Sequence, residues 1–438
     1  MYKKLNSYSF LIKNRLILLS KVLVDIFLFI FIFKYQLNYS LFFLCINIIS
    51  FWLISCYLIY RYNNIKSFRD NIKKSLNTLI IIVLFFIFNN FFEILKDPII
   101  LNLTSLFFFT SLIIQFLLSA FFFLIYSKKN LWIIITDEND LEKNINKDLN
   151  LFYNSRKQII FKKSTLEKFN ELDLKHIDGF IVNKEKELNK IDIRLKKEIT
   201  NKGKLIVNWL GFYELTRERI PSNLIQNIDS FRRKENLLSY FQLKIKDLAD
   251  FFVSLTLLLL SSPLFLLSAC LIYLEDGGPI LYSQIRTGKF LKTFRIYKLR
   301  TMNRNAEKNG AQWAEIQDER VTKVGKILRK TRIDELPQLF SVLKGDMSLI
   351  GPRPERPELE EKIIKKVKNY NLRNQLKPGI SGWSQVNYPY GASIMDTKRK
   401  LSYDLYYIKN FSSLLDLIIF FKTIQIVFNA KGSNPIEN

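Results

Sequence analysis

FFVSLTLLLLSSPLFLLSACLIYL, residues 251–274, is an apolar run long enough to cross a bilayer, with Ser261-Ser262-Pro263 at its middle. Proline removes a backbone donor and clashes with the preceding turn, so the spacing predicts that the helix breaks or kinks at Ser262-Pro263. The remaining ~160 residues are strongly basic, and a complete crossing would place them on the face opposite to the one that basic segments prefer. The expectation is therefore a helix over 247–274 that enters the membrane, turns at Ser262-Pro263 and leaves on the side it entered, in preference to a kinked spanning helix.

Upstream, four further apolar segments lie near 16–33, 40–60, 76–95 and 101–126, each about the length of a membrane span. Basic residues gather before the first (Lys3, Lys4, Lys13, Arg15), between the second and third (Arg61, Lys66, Arg69, Lys73, Lys74) and after the fourth (Lys128, Lys129). By the positive-inside rule, both ends of this four-helix bundle, residues 1–127, face the cytoplasm. The opening run lacks a small-residue cleavage site and is followed by further spans, so it is not read as a signal peptide.

Residues 128–235 change character. Short β-rich runs recur at Leu131–Thr136, Gln158–Phe161, Gly179–Val182 and Lys204–Trp209, separated by charged helical stretches, which predicts a small parallel α/β domain. The first strand leads into Asp137-Glu138-Asn139-Asp140 with no glycine-rich phosphate loop. A dinucleotide requires close backbone approach at an acid-free helix start. The domain therefore reads as a degenerate Rossmann-like unit with a structural or regulatory role.

The 438 residues carry 66 Lys+Arg against 40 Asp+Glu, a formal charge of +26, compatible with anionic lipid, phosphorylated substrates or nucleic acid. The abundance of Lys, Asn, Ile and Phe is also what an AT-rich coding sequence produces, so part of the excess is compositional. The one histidine, His176, lies in a stretch that resembles no catalytic motif, which effectively rules out Ser-His-Asp hydrolysis and His-ligated zinc chemistry. Cys45, Cys56 and Cys270 lie in apolar runs without metal-ligand spacing and are expected to be buried thiols.

The chemistry gathers after residue 275. Gly277–Gly288 and Phe294–Met302 read as a β-hairpin that brings Gln284, Arg286, Lys298 and Arg300 close in sequence, a placement that could hold a diphosphate, although a basic hairpin taken alone is more often a solvated face. In Arg332–Gly345, Leu336, Leu339, Phe340 and Leu343 mark one helical face, with Pro337 acceptable only in a first turn and Gly345 a suitable stop. Asp334 and Glu335 are thus expected at a helix N-terminus, where the dipole keeps both ionised and draws phosphate and divalent metal; for this motif in isolation an ordinary N-cap with an acidic first turn is the favoured reading. Turn-dense Gly345–Pro354, which fixes Arg353, and Lys377–Asn387 add two more constrained loops within about 60 residues.

These residues together resemble the bacterial sugar transferases, the polyprenyl-phosphate glycosyl-1-phosphate transferases. From about 243 to the C-terminus the matching signatures are Ser262-Pro263, Lys298–Met302, Asp334–Leu339, Gly345–Ser348, Gly351–Pro354, Pro378–Trp383 and Asp404–Asn410. The resemblance implies a large-type, multi-pass protein of the bacterial inner membrane, in which 236–438 is a mostly helical catalytic domain on the cytoplasmic face. It implies that Asp334 takes the phosphosugar from a UDP-sugar, releasing UMP, before polyprenyl phosphate attacks, as in starting exopolysaccharide or O-antigen units. It further implies that Asp334 and Glu335 hold Mg2+, and that Asp404 belongs to the catalytic site. Substrate contacts fall to Gln284, Arg286, Lys298, Arg300, Arg332 and Arg353, with Pro263 on the lipid side. Membrane lipid is then a partner, nucleic acid is not, and a homodimer is compatible. One departure stands out: many relatives carry Gly-Arg after the Gln-Val-Asn at 385–387, whereas this chain continues Tyr388-Pro389-Tyr390-Gly391.

Two rival readings differ in product. A metal-dependent glycosyltransferase moving a bare sugar releases UDP and usually carries a DxD motif, which is missing here. A non-enzymatic basic membrane-tethered protein binds in a way that weakens uniformly with salt. Leu414–Val427, interrupted by Asp416 and Lys422, reads as an interfacial amphipathic helix.

Overall fold

Apolar runs fold into helices in a membrane because a helix satisfies its own backbone groups without water. A computed structural model describes residues 10–34, 42–59, 61–62, 68–92, 95, 97–126, 130–135, 159–164, 177, 179–182, 197, 199, 201–202, 204–225, 237–304, 306, 318–388, 391 and 393–429. Two units separate, residues 1–216 and 217–438.

In the first unit, α1 (Phe10–Phe33), α2 (Phe42–Leu58), α3 (Phe68–Phe92) and α4 (Pro98–Tyr126) pack around Phe29, Phe33, Trp52, Phe107 and Phe108. Trp52 stacks on Phe108 at 4.6 Å between ring centroids. The polar interior of this bundle was not apparent from hydropathy. Asp25 is fully buried and accepts from Ser111 Oγ (2.6 Å), Tyr62 OH (2.7 Å), Gln115 Nε2 (3.0 Å) and Trp52 Nε1 (3.2 Å). One turn earlier, buried Lys21 donates to Ser119 Oγ at 2.9 Å. Among the described residues three helices are long and apolar enough to cross a membrane: Phe68–Asn90, Pro98–Leu124 and Tyr240–Asp276. Helix α1 carries Lys21 and Asp25, and α2 is 17 residues long.

The four expected strands are present as β1 (Asn130–Ile135), β2 (Ile159–Ser164), β3 (Gly179–Val182) and β4 (Leu205–Asn208), all parallel in the order β2-β1-β3-β4. A side chain at Gly179 would collide with the Trp132 ring at 2.5 Å, which accounts for glycine at the start of β3. Helix α5 (Trp209–Arg217) follows β4. The acidic run 137–140, His176 and the basic residues Lys3, Lys4, Lys66, Lys128 and Lys129 lie outside the described residues.

In the second unit, α6 (Leu237–Asp276) carries Pro263 inside it. Of the expected break or kink, the break is not found: the helix runs on through Ser262-Pro263. Its continuity has a local cause. Proline cannot donate to the Leu259 carbonyl, and Ser262 Oγ donates to that same oxygen at 2.8 Å, so the acceptor is not left bare in an apolar surrounding. Both flanks of α6 meet the rest of this unit. Asp250 accepts from the Leu349 amide (3.2 Å) and Lys246 pairs with Asp416 (2.7 Å), while at the far end Asp276 pairs with Arg300 (3.3 Å) and Ile272 packs with Leu299 and Leu328.

The hairpin forms as read, with β5 (Leu281–Thr287) antiparallel to β6 (Thr293–Leu299) and Tyr282 opposite Lys298. Then come α7 (Lys323–Thr331), α8 (Gln338–Leu343), β7 (Ser348–Ile350), α9 (Pro357–Lys366), β8 (Gly379–Ser381), α10 (Trp383–Asn387), α11 (Ile394–Lys409) and α12 (Ser413–Phe428). Helix α12 is two-faced, burying Leu415 and Ile419 and exposing Leu414, Leu417, Phe421 and Phe428. Cys45 and Cys56 are buried as expected, whereas Cys270 is exposed on α6, because an apolar run that faces outward leaves its thiol outward too.

Candidate active site

Helix α7 ends at Arg332, whose left-handed backbone (φ 60°) returns its N–H to the Arg329 carbonyl and redirects the chain. The next three residues, Ile333–Glu335, form a 3-10 turn, and the six-residue α8 starts only after Pro337. Asp334 and Glu335, expected at a helix N-terminus, therefore sit on a 3-10 turn just ahead of the short helix. Left-handed Arg332 and the proline between them and α8 explain the shift.

The two acids have opposite surroundings. Glu335 is buried, its Oε1 accepts from Arg353 (2.5 Å) and Lys298 (3.1 Å), and its Oε2 lies 3.8 Å from Arg332. Burial alone would raise its pKa, but Arg353, Lys298 and Arg332 outweigh burial and hold the carboxyl well below the usual carboxylate range. Asp334 is buried as deeply, yet its carboxylate makes no hydrogen bond among the described residues. Burial, reinforced by the Glu335 charge, pushes it up to about 6 against the pull of Lys298, Arg329 and Arg353. Both acids were expected to be ionised; with a pKa of about 6 Asp334 is still mostly a carboxylate at pH 7, but desolvation and a like charge make it the less firmly ionised of the two.

Two loops hold Arg353 in place by crossing at backbone distance. Strands β7 and β8 are parallel, with Ser348 N–H donating to the Pro378 carbonyl (2.8 Å), Gly351 N–H to Ser381 (2.8 Å) and Gly379 N–H to Pro352 (2.9 Å). A Cβ on Gly379 would come within 2.0 Å of the Gly351 nitrogen, and one on Gly382 within 2.1 Å of the Gly351 carbonyl oxygen. The glycines of both turn-dense motifs thus serve a single crossing from which Arg353 projects to Glu335.

A Bacterial sugar transferase family model matches residues 241–430. Over 189 residues the chain is 50% identical to the UDP-N-acetylgalactosamine-undecaprenyl-phosphate N-acetylgalactosaminephosphotransferase of Aeromonas hydrophila, covering 43% of this chain and 45% of that protein. Over another 189 residues it is 38% identical to the UDP-glucose:undecaprenyl-phosphate glucose-1-phosphate transferase of Klebsiella pneumoniae, 43% of this chain and 41% of that one. An exopolysaccharide production protein, PSS, of Rhizobium leguminosarum bv. phaseoli is 37% identical over 191 residues, 42% of this chain and 94% of its own length. The chain belongs to the bacterial sugar transferase family. Its match spans less than half the length of the Aeromonas and Klebsiella relatives and nearly all of the Rhizobium one.

In this sugar transferase, five of the residues singled out from the sequence come together: Asp334, Glu335, Lys298, Arg353 and Arg332. The others are placed elsewhere. Arg286 donates to the Pro354 carbonyl (3.2 Å) and lies 3.8 Å from Glu355, so it braces the far side of the Arg353 loop. Arg300 donates to the Gly278 carbonyl (2.6 Å) and pairs with Asp276, which pins the end of α6. Gln284 Nε2 donates to Tyr282 OH (3.0 Å) within the hairpin, and Pro263 is inside α6. Asp404 is buried on α11, where its carboxylate pairs with Arg373 at 3.0 Å. Residues not singled out from the sequence include Arg329, which adds positive charge beside Asp334 while its Nε donates to Thr301 Oγ1 (2.9 Å), and the pair Tyr370 and Arg373. The basic face of α7 was the available signal for Arg329; for Arg373 the sequence offers none.

The donor set partly suits Mg2+. No group of three or more His, Cys, Asp or Glu side chains able to hold a metal occurs among the described residues. Mg2+ commonly takes one or two carboxylates and completes its shell with water and substrate phosphate. Asp334 meets that description, whereas both oxygens of Glu335 already face cations.

Proposed function

We propose that this chain transfers a sugar 1-phosphate from a UDP-sugar to a polyprenyl phosphate such as undecaprenyl phosphate, releasing UMP. The observation that carries the reading is the asymmetry of the acid pair: an uncommitted carboxylate, Asp334, beside one that gathers Arg353, Lys298 and Arg332. Asp334 attacks the sugar-bearing phosphorus, the bond to the bridging diphosphate oxygen breaks, and UMP leaves with that electron pair. A phosphate oxygen of the lipid then attacks the same phosphorus and expels the Asp334 carboxylate, so each step is a single displacement. The cations that Glu335 assembles face the charge that builds on the diphosphate. Asp334 and the substrate's own phosphate oxygens would hold Mg2+, which supplies further neutralisation of that charge when bound. The printed names of the Aeromonas and Klebsiella relatives support the substrate classes, and that of the Rhizobium relative supports a place in exopolysaccharide production.

The membrane arrangement we infer has four N-terminal spans, an α6 that enters and leaves on one face, and the catalytic unit on the cytoplasmic side of the inner membrane. Helix α6 supports this, because residues at both of its flanks contact one catalytic unit, which is difficult for a perpendicular crossing that carries its ends to opposite faces. Full burial of Lys21 and Asp25 removes the charges that otherwise argue against α1 as a span.

Purified full-length protein in nanodiscs, given undecaprenyl phosphate, Mg2+ and a panel including UDP-N-acetylgalactosamine and UDP-glucose, is expected to release UMP and form a lipid diphosphosugar, and Asp334→Asn to do neither. UDP release would favour transfer of a bare sugar. Retained turnover in the variant would remove Asp334 as nucleophile.

A further inference from the structure

We propose that Arg373 and Asp404 are positioning residues that act on the reaction through the backbone of Arg353. This inference rests on the functional reading above and assigns to the buried pair a role separate from contact with substrate. Arg373 lies on the 3-10 turn Tyr370–Gln375 and is 7% exposed. One guanidinium nitrogen, Nη2, donates to the Arg353 carbonyl (2.7 Å) and pairs with Asp404 Oδ2 (3.0 Å). The other, Nη1, donates to Tyr370 OH, and the guanidinium lies 5.0 Å from the centre of that ring. Asp404, 2% exposed on α11, supplies the opposite charge that lets an arginine be kept there at all.

The chain of contacts runs Asp404, Arg373, the Arg353 carbonyl, the Arg353 guanidinium, Glu335. Each link is a hydrogen bond or ion pair of 3.0 Å or less. Arg353 needs such an anchor because its side chain is 37% exposed and, among the described residues, its guanidinium is hydrogen-bonded to Glu335 alone. The glycine crossing fixes residues 351 and 352 and the Arg286 contact fixes residue 354, so the Arg373 bond secures the one intervening carbonyl. Arginine is required because a planar fork can bond the carbonyl, the carboxylate and the phenol together, whereas a lysine ammonium keeps the charge without that geometry.

The test is a double-mutant cycle on the full-length protein in nanodiscs. Arg373→Lys keeps a cation for Asp404 and so keeps the fold. With whichever UDP-sugar the wild type turns over, it is expected to lower kcat about tenfold, the worth of one charge-assisted hydrogen bond, and to change KM little. In an Arg353→Ala background the same change is expected to lower kcat less than about twofold, because the group acted upon is gone. Equal losses in both backgrounds would overturn the proposal, as would an undiminished kcat in the single variant. A second reading needs no turnover. The melting-temperature coupling between Glu335→Gln and Arg353→Ala is expected to shrink when Arg373 is lysine, and an unchanged coupling would overturn the positioning role. A wild type inert toward every UDP-sugar sinks the functional reading alone, since the thermal cycle still decides this one.

Discussion

Asp334→Asn is expected to inactivate the protein and at the same time to stabilise it. The folded carboxyl titrates near 6 against an ordinary 3.8, so above pH 6 folding keeps a carboxylate in surroundings that favour its protonated form. The folded state binds the proton more tightly than the unfolded chain, which makes the penalty complete at pH values above about 6 and absent below about 4. The gap of about two pH units corresponds to about 3 kcal/mol, an upper figure for a group that retains 8% exposure. An asparagine carries no charge to desolvate and displaces no hydrogen-bond partner, because the aspartate has none among the described residues. For a unit of this size about 3 kcal/mol corresponds to a rise in melting temperature of roughly 6–12 °C. The assay is thermal unfolding of both forms in nanodiscs with EDTA, at pH 7.5 and at pH 4.5. The variant should melt higher at pH 7.5, the difference should shrink to about a third of that at pH 4.5, and added Mg2+ should stabilise the wild type toward the variant. A variant that melts at or below the wild type at pH 7.5 without metal would refute the claim that Asp334 is an uncompensated buried carboxylate.

Three further outcomes follow from the same geometry. The acid limb of transfer should fall near pH 6 in protein not saturated with Mg2+: a carboxyl of that pKa is about nine-tenths ionised at pH 7 and about one-tenth at pH 5, so initial UMP release should drop about ninefold, against almost no change for an ordinary aspartate. Gly379→Ala should abolish folded protein in an expression and size-exclusion assay, since its Cβ would lie 2.0 Å from a backbone nitrogen that cannot move aside; full recovery would mean that the β7–β8 crossing is looser than described. Asp25→Ala should lower the melting temperature of the full-length protein by taking one acceptor from four donors, of which Trp52 keeps Ser111 Oγ (3.0 Å) and Gln115 keeps the Lys21 carbonyl (2.8 Å), at a cost of about 1–3 kcal/mol for each donor left bare, while Asp25→Asn, which keeps an acceptor oxygen, should lose less.

What was legible in the sequence was whatever rested on period and on steric exceptions. The hairpin at 281–299 and the four parallel strands came from alternation and turn residues, and the glycines of Gly351 and Gly379 announced constrained loops before the crossing that needs them was visible. What was hidden depended on partners distant in sequence. Helix α6 passes through Pro263 because the adjacent serine supplies the missing donor, a local compensation that a proline rule alone does not weigh. Lys21 and Asp25 sit in an apolar run as two isolated charges, and only the approach of Trp52, Tyr62, Ser111 and Gln115 explains them. Asp404 was visible within a motif, but its partner Arg373 lies 31 residues away on a turn with no periodic signal.

Adjacent Asp334 and Glu335 look interchangeable in sequence, and a helix-terminus argument treats them alike. Their surroundings separate them. Three cations converge on Glu335 and fix it as an anion, which leaves Asp334 with the like charge of its neighbour and no bond to offset burial. A carboxylate that is poorly solvated and uncommitted is the more reactive one, and it gains most when an electrophilic phosphorus or a divalent cation arrives to share its charge. In the proposed transfer Glu335 would contribute twice, by assembling the cations that face the diphosphate and by raising the energy of the carboxylate beside it. Replacing Glu335 by glutamine should then weaken UDP binding and move the Asp334 titration down toward 3.8 together; a titration that stays near 6 in that variant would mean that burial alone sets it.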